Sequence, residues 1–112
     1  MKVISKVQEN ERYFFPDVSI EKIFSSKGRV KIIKILVEKG ELNISDIGRR
    51  ARLNHTTTQQ HLNFLIETGL IQEKRFGRIK IYRLKEENIK AQALKSFFTL
   101  WSENATSLYR DK

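Results

Sequence analysis

Thr56, Thr57, Gln59, Gln60 and Asn63 bring neutral hydrogen-bonding side chains together in one short stretch. Asn and Gln carry a donor and an acceptor side by side, a match for N6 and N7 of adenine. Thr offers a hydroxyl to a phosphate or base and a methyl to thymine. Further on, Lys74, Arg75, Arg78 and Lys80 surround Gly77. Four cations about one tight turn can straddle a phosphate backbone or enter a narrow minor groove. His55 is a further candidate phosphate contact. Arg49, Arg50 and Arg52 could touch phosphates beside a groove or only complement a helix dipole. Read separately, these groups are an ordinary polar helix face and a charged edge hairpin that resists aggregation. Read together, they are the chemistry of double-stranded DNA binding: neutral groups for base edges, cations for the backbone.

Other chemistries find less support. The chain has no cysteine, which excludes disulfides and thiolate metal sites. His55 and His61 are six positions apart, roughly 240° around a helix, so they do not share a face as an i,i+4 metal pair would. His61 is expected to pack on a neighbouring helix and to bond a main-chain carbonyl. No glycine-rich phosphate loop or acid–base cluster stands out, so no enzyme, cofactor or metal is expected.

The charge distribution agrees. Lys and Arg outnumber acids 22 to 13, a net charge of +9. Residues 45–85 hold nine basic and three acidic residues, whereas residues 86–112 hold four of each. Charge gathered in this way suits a polyanion, with nucleic acid favoured over an anionic membrane. No apolar run approaches the ~20 residues needed to span a bilayer, and the N-terminus lacks a signal-type apolar stretch. A cytoplasmic, nucleoid-associated protein is expected.

Several elements must position these groups. Asp17 or Ser19 can cap a short helix over Ile20, Ile23 and Phe24. A central helix is predicted over 27–39, with Val30, Ile33 and Val37 on one face and Ile32, Ile35 and Leu36 beside them, ended by Gly40. Leu42-Asn43-Ile44 reads as a short strand, and Ser45 as the cap of a third helix bearing Ile47 and Ala51 inward. Gly48 in that helix suggests a close helix–helix approach. Asn54 caps a fourth helix whose inward stripe is Thr58, Leu62 and Leu65. Gly69 stops it. Strands near 71–75 and 79–84 flank a turn at Phe76-Gly77, where Phe76 is expected to shield the hairpin base. A last helix covers about 86–109.

This succession resembles the winged-helix regulators of bacteria and archaea, especially the ArsR-like group, with the MarR-like group sharing most of it. The resemblance rests on Arg29-Val30-Lys31-Ile32-Ile33, Leu42-Asn43-Ile44-Ser45-Asp46-Ile47, Thr56 to Leu62, Thr68-Gly69-Leu70-Ile71, and Gly77-Arg78 with Tyr82-Arg83-Leu84. It covers about residues 20–85. Metal-sensing ArsR-like members place cysteines in the recognition helix, or Asp and His ligands on the last helix. This chain has neither, so metal sensing is not carried over.

The resemblance implies a homodimer joined through terminal helices. The chain offers a surface for one: Leu94, Phe97, Phe98, Trp101, Ala105 and Leu108 form an apolar stripe at helical spacing. The expected fold is α+β, mostly α: a winged helix-turn-helix with a C-terminal dimerisation helix. The division is an arm at 1–16, the DNA-binding domain at 17–85 and the dimerisation helix at 86–112. The expected function is sequence-specific regulation of transcription as a homodimer. The alternative is an abundant architectural DNA-binding protein with little sequence preference.

Overall fold

The computed structural model describes residues 18–110, and of 104–110 the helical backbone alone. The expected arm at 1–16 and the side chains of Ala105 and Leu108 lie outside the described residues.

Helix α1 is one turn, Ile20–Ile23, capped by Ser19, whose Oγ accepts from the Lys22 amide at 3.2 Å. Helix α2, Lys27–Lys39, has the predicted bounds. Ile32, Ile33 and Leu36 are buried, and Val30, Ile35 and Val37 are half-buried around them. Such a wide apolar face has packing partners on several sides. Gly40 ends the helix at a φ of 89°, and its amide donates to the Leu36 carbonyl.

Strand β1 is only Leu42–Asn43, and α3 runs Ile44–Ala51. Here the sequence expectation needs correction. The cap of α3 is Asn43, whose Oδ1 accepts from the Asp46 amide at 2.9 Å; Ser45 is already inside the helix and exposed. A short Asn side chain reaches the third amide beyond it as readily as Ser would. One residue therefore closes the strand and opens the helix, and Ile44 is helical rather than extended.

Helix α4, His55–Glu67, starts at its expected cap, Asn54, whose Oδ1 accepts from the Thr57 amide at 2.8 Å. Strands β2, Ile71–Phe76, and β3, Ile79–Leu84, form an antiparallel hairpin, and β1 pairs on the other side of β3, giving the order β1-β3-β2. Helix α5, Ile89–Arg110, begins three residues later than expected because Asn88 caps it, Oδ1 accepting from the Lys90 amide at 2.7 Å. Asn88 Nδ2 also donates to the Gly69 carbonyl at 2.8 Å, fixing the start of α5 to the end of α4.

The core lies between α2, α3, α4 and one face of the sheet, with Tyr82 at its centre and Ala91 and Leu94 of α5 closing it. This is a winged helix-turn-helix: α3 and α4 are the helix pair and the β2–β3 hairpin is the wing. No helix among the described residues is long and apolar enough to cross a membrane.

Candidate nucleic-acid interface

Two contacts set the angle between α3 and α4. A Cβ on Gly48 would stand 3.1 Å from Thr58 Oγ1 and 3.2 Å from the Leu53 carbonyl oxygen, so the expected close approach is present. Thr58 itself is buried and donates back to the Asn54 carbonyl at 2.8 Å. Between the helices, the Leu53 amide donates to the Gly48 carbonyl at 2.9 Å and the Arg52 amide to the Arg49 carbonyl at 3.3 Å. This paired closure needs a left-handed residue, and Arg52 supplies it at a φ of 59°. The end of α4 repeats the closure, with Leu70 bonding back to Leu65 and Gly69 to Ile66. There glycine holds the left-handed position, at a φ of 81°.

The inward stripe of α4 is the expected one: Thr58, Leu62 and Leu65 are buried. His55, Thr56, Gln60 and Asn63 are exposed, and Thr57 and Gln59 are half-buried. Gln59 Nε2 donates to Asn63 Oδ1 at 3.0 Å, one helical turn apart. Thr56 and Gln60 have no side-chain partner among the described residues. That bond uses the Asn63 carbonyl oxygen and leaves the Asn63 amide N–H groups without a partner among the described residues. Gln59 also lies near the hydroxyl of Tyr82, which is buried without a hydrogen-bond partner; burial pushes its pKa up, with Glu73 of β2 close by.

His61 takes the opposite side of α4. Its Nε2 lies 3.3 Å from Ser26 Oγ, in place of the expected main-chain carbonyl. The Ser26 hydroxyl is the cap of α2, so one side chain serves the start of α2 and the flank of α4. Arg29 extends the same seam. Its guanidinium stands 4.1 Å over the Phe64 ring and donates to the Lys22 carbonyl, while its Nε is buried without a partner. Burial, then the Arg29 charge, holds the His61 imidazole below its ordinary pKa, so the neutral ring is favoured. Sequence reasoning expected His61 to pack on a neighbouring helix, as it does on α2, but missed Ser26 as its partner and Arg29 beside it.

The wing divides its four cations. Lys74 Nζ pairs with Glu41 at 3.2 Å, and Arg75 with Glu73 at 3.2 Å. Arg78 and Lys80 are exposed and make no ion pair among the described residues. The turn is Gly77-Arg78, between the paired residues Phe76 and Ile79. Only Gly77 has a positive φ, 63°, which suits a tight hairpin turn with glycine first. Phe76 does not shield the hairpin base: its ring is 58% exposed at the tip, because it sits in the last pair of the ladder, beyond the core. Near α3, Arg49 pairs with Asp46 at 2.6 Å, while Arg50 is exposed and unpaired among the described residues.

Helix α5 separates its apolar residues. Leu94 is 8% exposed and belongs to the domain's own core, so it is not available to a partner. Phe98 is half-buried, its ring edge-on to Phe24 at 6.3 Å and to Phe97 at 5.3 Å. Phe97, Leu100 and Trp101 face outward, Trp101 being 70% exposed. Next to them an apolar groove of about 430 Å³ runs between α1 and α5, bordered by Ile20, Phe24, Leu70 and Phe97.

The decisive comparison concerns the helix-turn-helix. Residues 26–73 match the sequence model of the family described as bacterial regulatory protein, arsR family. Over that segment the chain is similar to the helix-turn-helix of that family. The matched segment runs from the cap of α2 to the start of the wing. A cadmium resistance transcriptional regulatory protein, CadC, of Listeria innocua is 36% identical over 69 residues. That match takes in 62% of this chain and 56% of the relative, so the chain spans little more than half the relative's length. The transcriptional activator HlyU of Vibrio cholerae is 26% identical over 85 residues, 76% of this chain and 78% of that protein. Among solved structures, the homodimeric winged helix-turn-helix DNA-binding domain of a possible ArsR-family regulator from Mycobacterium bovis superposes with a TM-score of 0.61. The superposition covers 100% of this chain and 94% of that one at 20% identity, a likeness of fold. These proteins are named as regulators of transcription, not as enzymes. The cadmium in the first name belongs to that protein. Among the described residues here, no three His, Cys, Asp or Glu side chains are grouped to hold a metal ion.

Proposed function

We propose that this protein regulates transcription by binding double-stranded DNA as a homodimer, with residues 54–68 in the major groove and the wing, 71–84, on the flanking backbone or minor groove. One observation carries the reading. The exposed side of α4 bears the neutral groups Thr56, Gln60 and Asn63, while the cations left unpaired on the wing are Arg78 and Lys80. Neutral bidentate groups suit base edges and free cations suit phosphates. The names of the similar proteins, regulators of transcription, support the same reading. Phe97, Leu100 and Trp101 support the dimer: an aromatic face rimmed by polar residues is the kind that closed twofold assemblies cover. On this reading residues 1–16 are an arm, 17–85 the DNA-binding domain and 86–112 the dimerisation helix, and the protein works on the nucleoid in the cytoplasm.

Selection of bound duplexes from random-sequence DNA at two salt concentrations tests the proposal. A defined motif with paired half-sites is expected, and a steep loss of binding at higher salt. Gln60→Ala should change the selected motif, removal of a bidentate base contact costing ~1–3 kcal/mol at one position. Arg78→Ala should weaken all sequences alike. Tight binding with no motif would favour the architectural alternative. A flat salt response would remove the nucleic-acid reading altogether.

A further inference from the structure

A second basic surface lies outside the recognition helix and the wing. A groove of about 430 Å³ runs between the outer face of α2 and the end of α3, lined by Lys31, Lys34, Ile35, Glu38, Arg50 and Arg52. Four cations share it with one carboxylate. None of the four side chains makes a hydrogen bond or an ion pair among the described residues. This contrasts with Arg49, Lys74, Arg75 and Lys95, each of which has found an acid.

Like charges held together raise the free energy of the folded chain unless a counter-charge binds. The backbone adds a second oddity. Arg52 occupies the left-handed position that glycine fills at the end of α4, and a non-glycine residue there costs about 1 kcal/mol. The chain keeps a long cationic side chain at a position where glycine would be easier.

We infer that this groove receives the sugar-phosphate backbone of DNA, extending the footprint beyond the helix and wing. The inference rests on the DNA-binding reading above. Position favours DNA over a small anion. Arg50 and Arg52 lead directly into Asn54, His55 and Thr56, the start of the recognition helix. Lys31, Lys34, Arg50 and Arg52 are all exposed, so the groove is an open track rather than an enclosed pocket with buried donors. Its ligand chemistry is phosphate, met by two amines and two guanidinium groups.

The test compares salt dependences of binding to a random-sequence duplex pool. The variants are Lys31→Gln alone and Lys31→Gln with Lys34→Gln. The single change is included because Lys34 also borders the aromatic side of α5. A charge-matched control, Lys27→Gln with Lys39→Gln, removes two exposed cations of α2 outside the groove. Arg78→Ala reports on the wing. Neutralising one groove lysine should lower the slope of log affinity against log salt by about 0.9 per protomer, with about a tenfold weaker affinity at low salt. The Lys27/Lys39 control should keep the parent slope, and thermal melts should show all variants folded. If Arg78→Ala lowers the slope and the groove variants do not, the groove is not on DNA while the DNA reading stands. A parent protein that binds no duplex at any salt overturns the DNA reading, and the groove inference with it. Saturable binding of pyrophosphate to DNA-free protein, abolished in the groove variants, would make the groove a small-anion site and overturn the inference.

Discussion

A Cβ on Gly28 would stand 3.0 Å from Nε2 of His61, so the first turn of α2 sits directly on the flank of α4. That contact, with Gly48 against Thr58, makes α2, α3 and α4 one unit. The angle at which α4 presents Thr56 and Gln60 is therefore set from behind, by glycines in the two helices it packs on.

Gly28→Ala measures the contact. Alanine in a helix is ordinarily worth up to ~1 kcal/mol over glycine. Here the added methyl also meets Leu53 Cδ1 at 3.1 Å, so overpacking of about 1–3 kcal/mol should prevail and the melting temperature should fall. In a His61→Ala background most of the penalty should vanish. A rise in melting temperature for Gly28→Ala in the parent would show that the helices can part without cost.

His61 predicts a pH dependence. Burial and Arg29 hold its folded pKa below the ordinary value of 6.5, so in the window between them the unfolded chain binds more protons than the folded one. Stability contributed by the neutral ring is full above 6.5 and is lost as pH falls through the folded value. Denaturant midpoints from about pH 8 down to about pH 5 should decline more steeply in the parent than in His61→Gln. Parallel curves for the two proteins would show that the imidazole is not held neutral.

Arg52→Gly separates stability from binding. Relief of the left-handed φ should raise stability by up to about 1 kcal/mol, read as a higher melting temperature. DNA affinity should fall at the same time, because a groove cation has been removed. A variant that is less stable than the parent would mean that the Arg52 side chain contributes more than its backbone costs.

Trp101→Glu tests assembly. Its ring is 70% exposed and stacks beside Phe97 at 5.9 Å, outside the domain's own core. Burying such a side chain across a twofold axis contributes ~1.5–3 kcal/mol, so a buried charge there should release folded monomers and weaken DNA binding by removing the second half-site. Sedimentation decides it. A persisting dimer would move the interface to another face.

Much was legible in one dimension because it is local. The bounds of α2 follow from an apolar period and a closing glycine. Asn54 and Gly69 delimit α4, and the Thr58-Leu62-Leu65 spacing fixes which side faces inward, and hence which side bears Gln60 and Asn63. Backbone hydrogen bonding and helical periodicity act over a few residues, so residue order carries them. Gly48 was readable for a similar reason: a glycine inside a helix costs stability unless something must come close.

What the order of residues left open depends on partners far apart in it. Glu41 neutralises Lys74 across thirty-three positions, so a wing with four written cations presents Arg78 and Lys80 as its free ones. Leu94 and Trp101 belong to one apolar period on α5, yet the first closes the core and the second faces outward, because α1 and α2 cover only one edge of that helix. Lys31 and Arg50 share a groove only because α2 and α3 cross there. Sequence determined the helices, their caps and the polar face of α4. Tertiary packing decided which charges are cancelled, which apolar groups stay exposed and where cations converge, since electrostatics and burial act through space rather than along the chain.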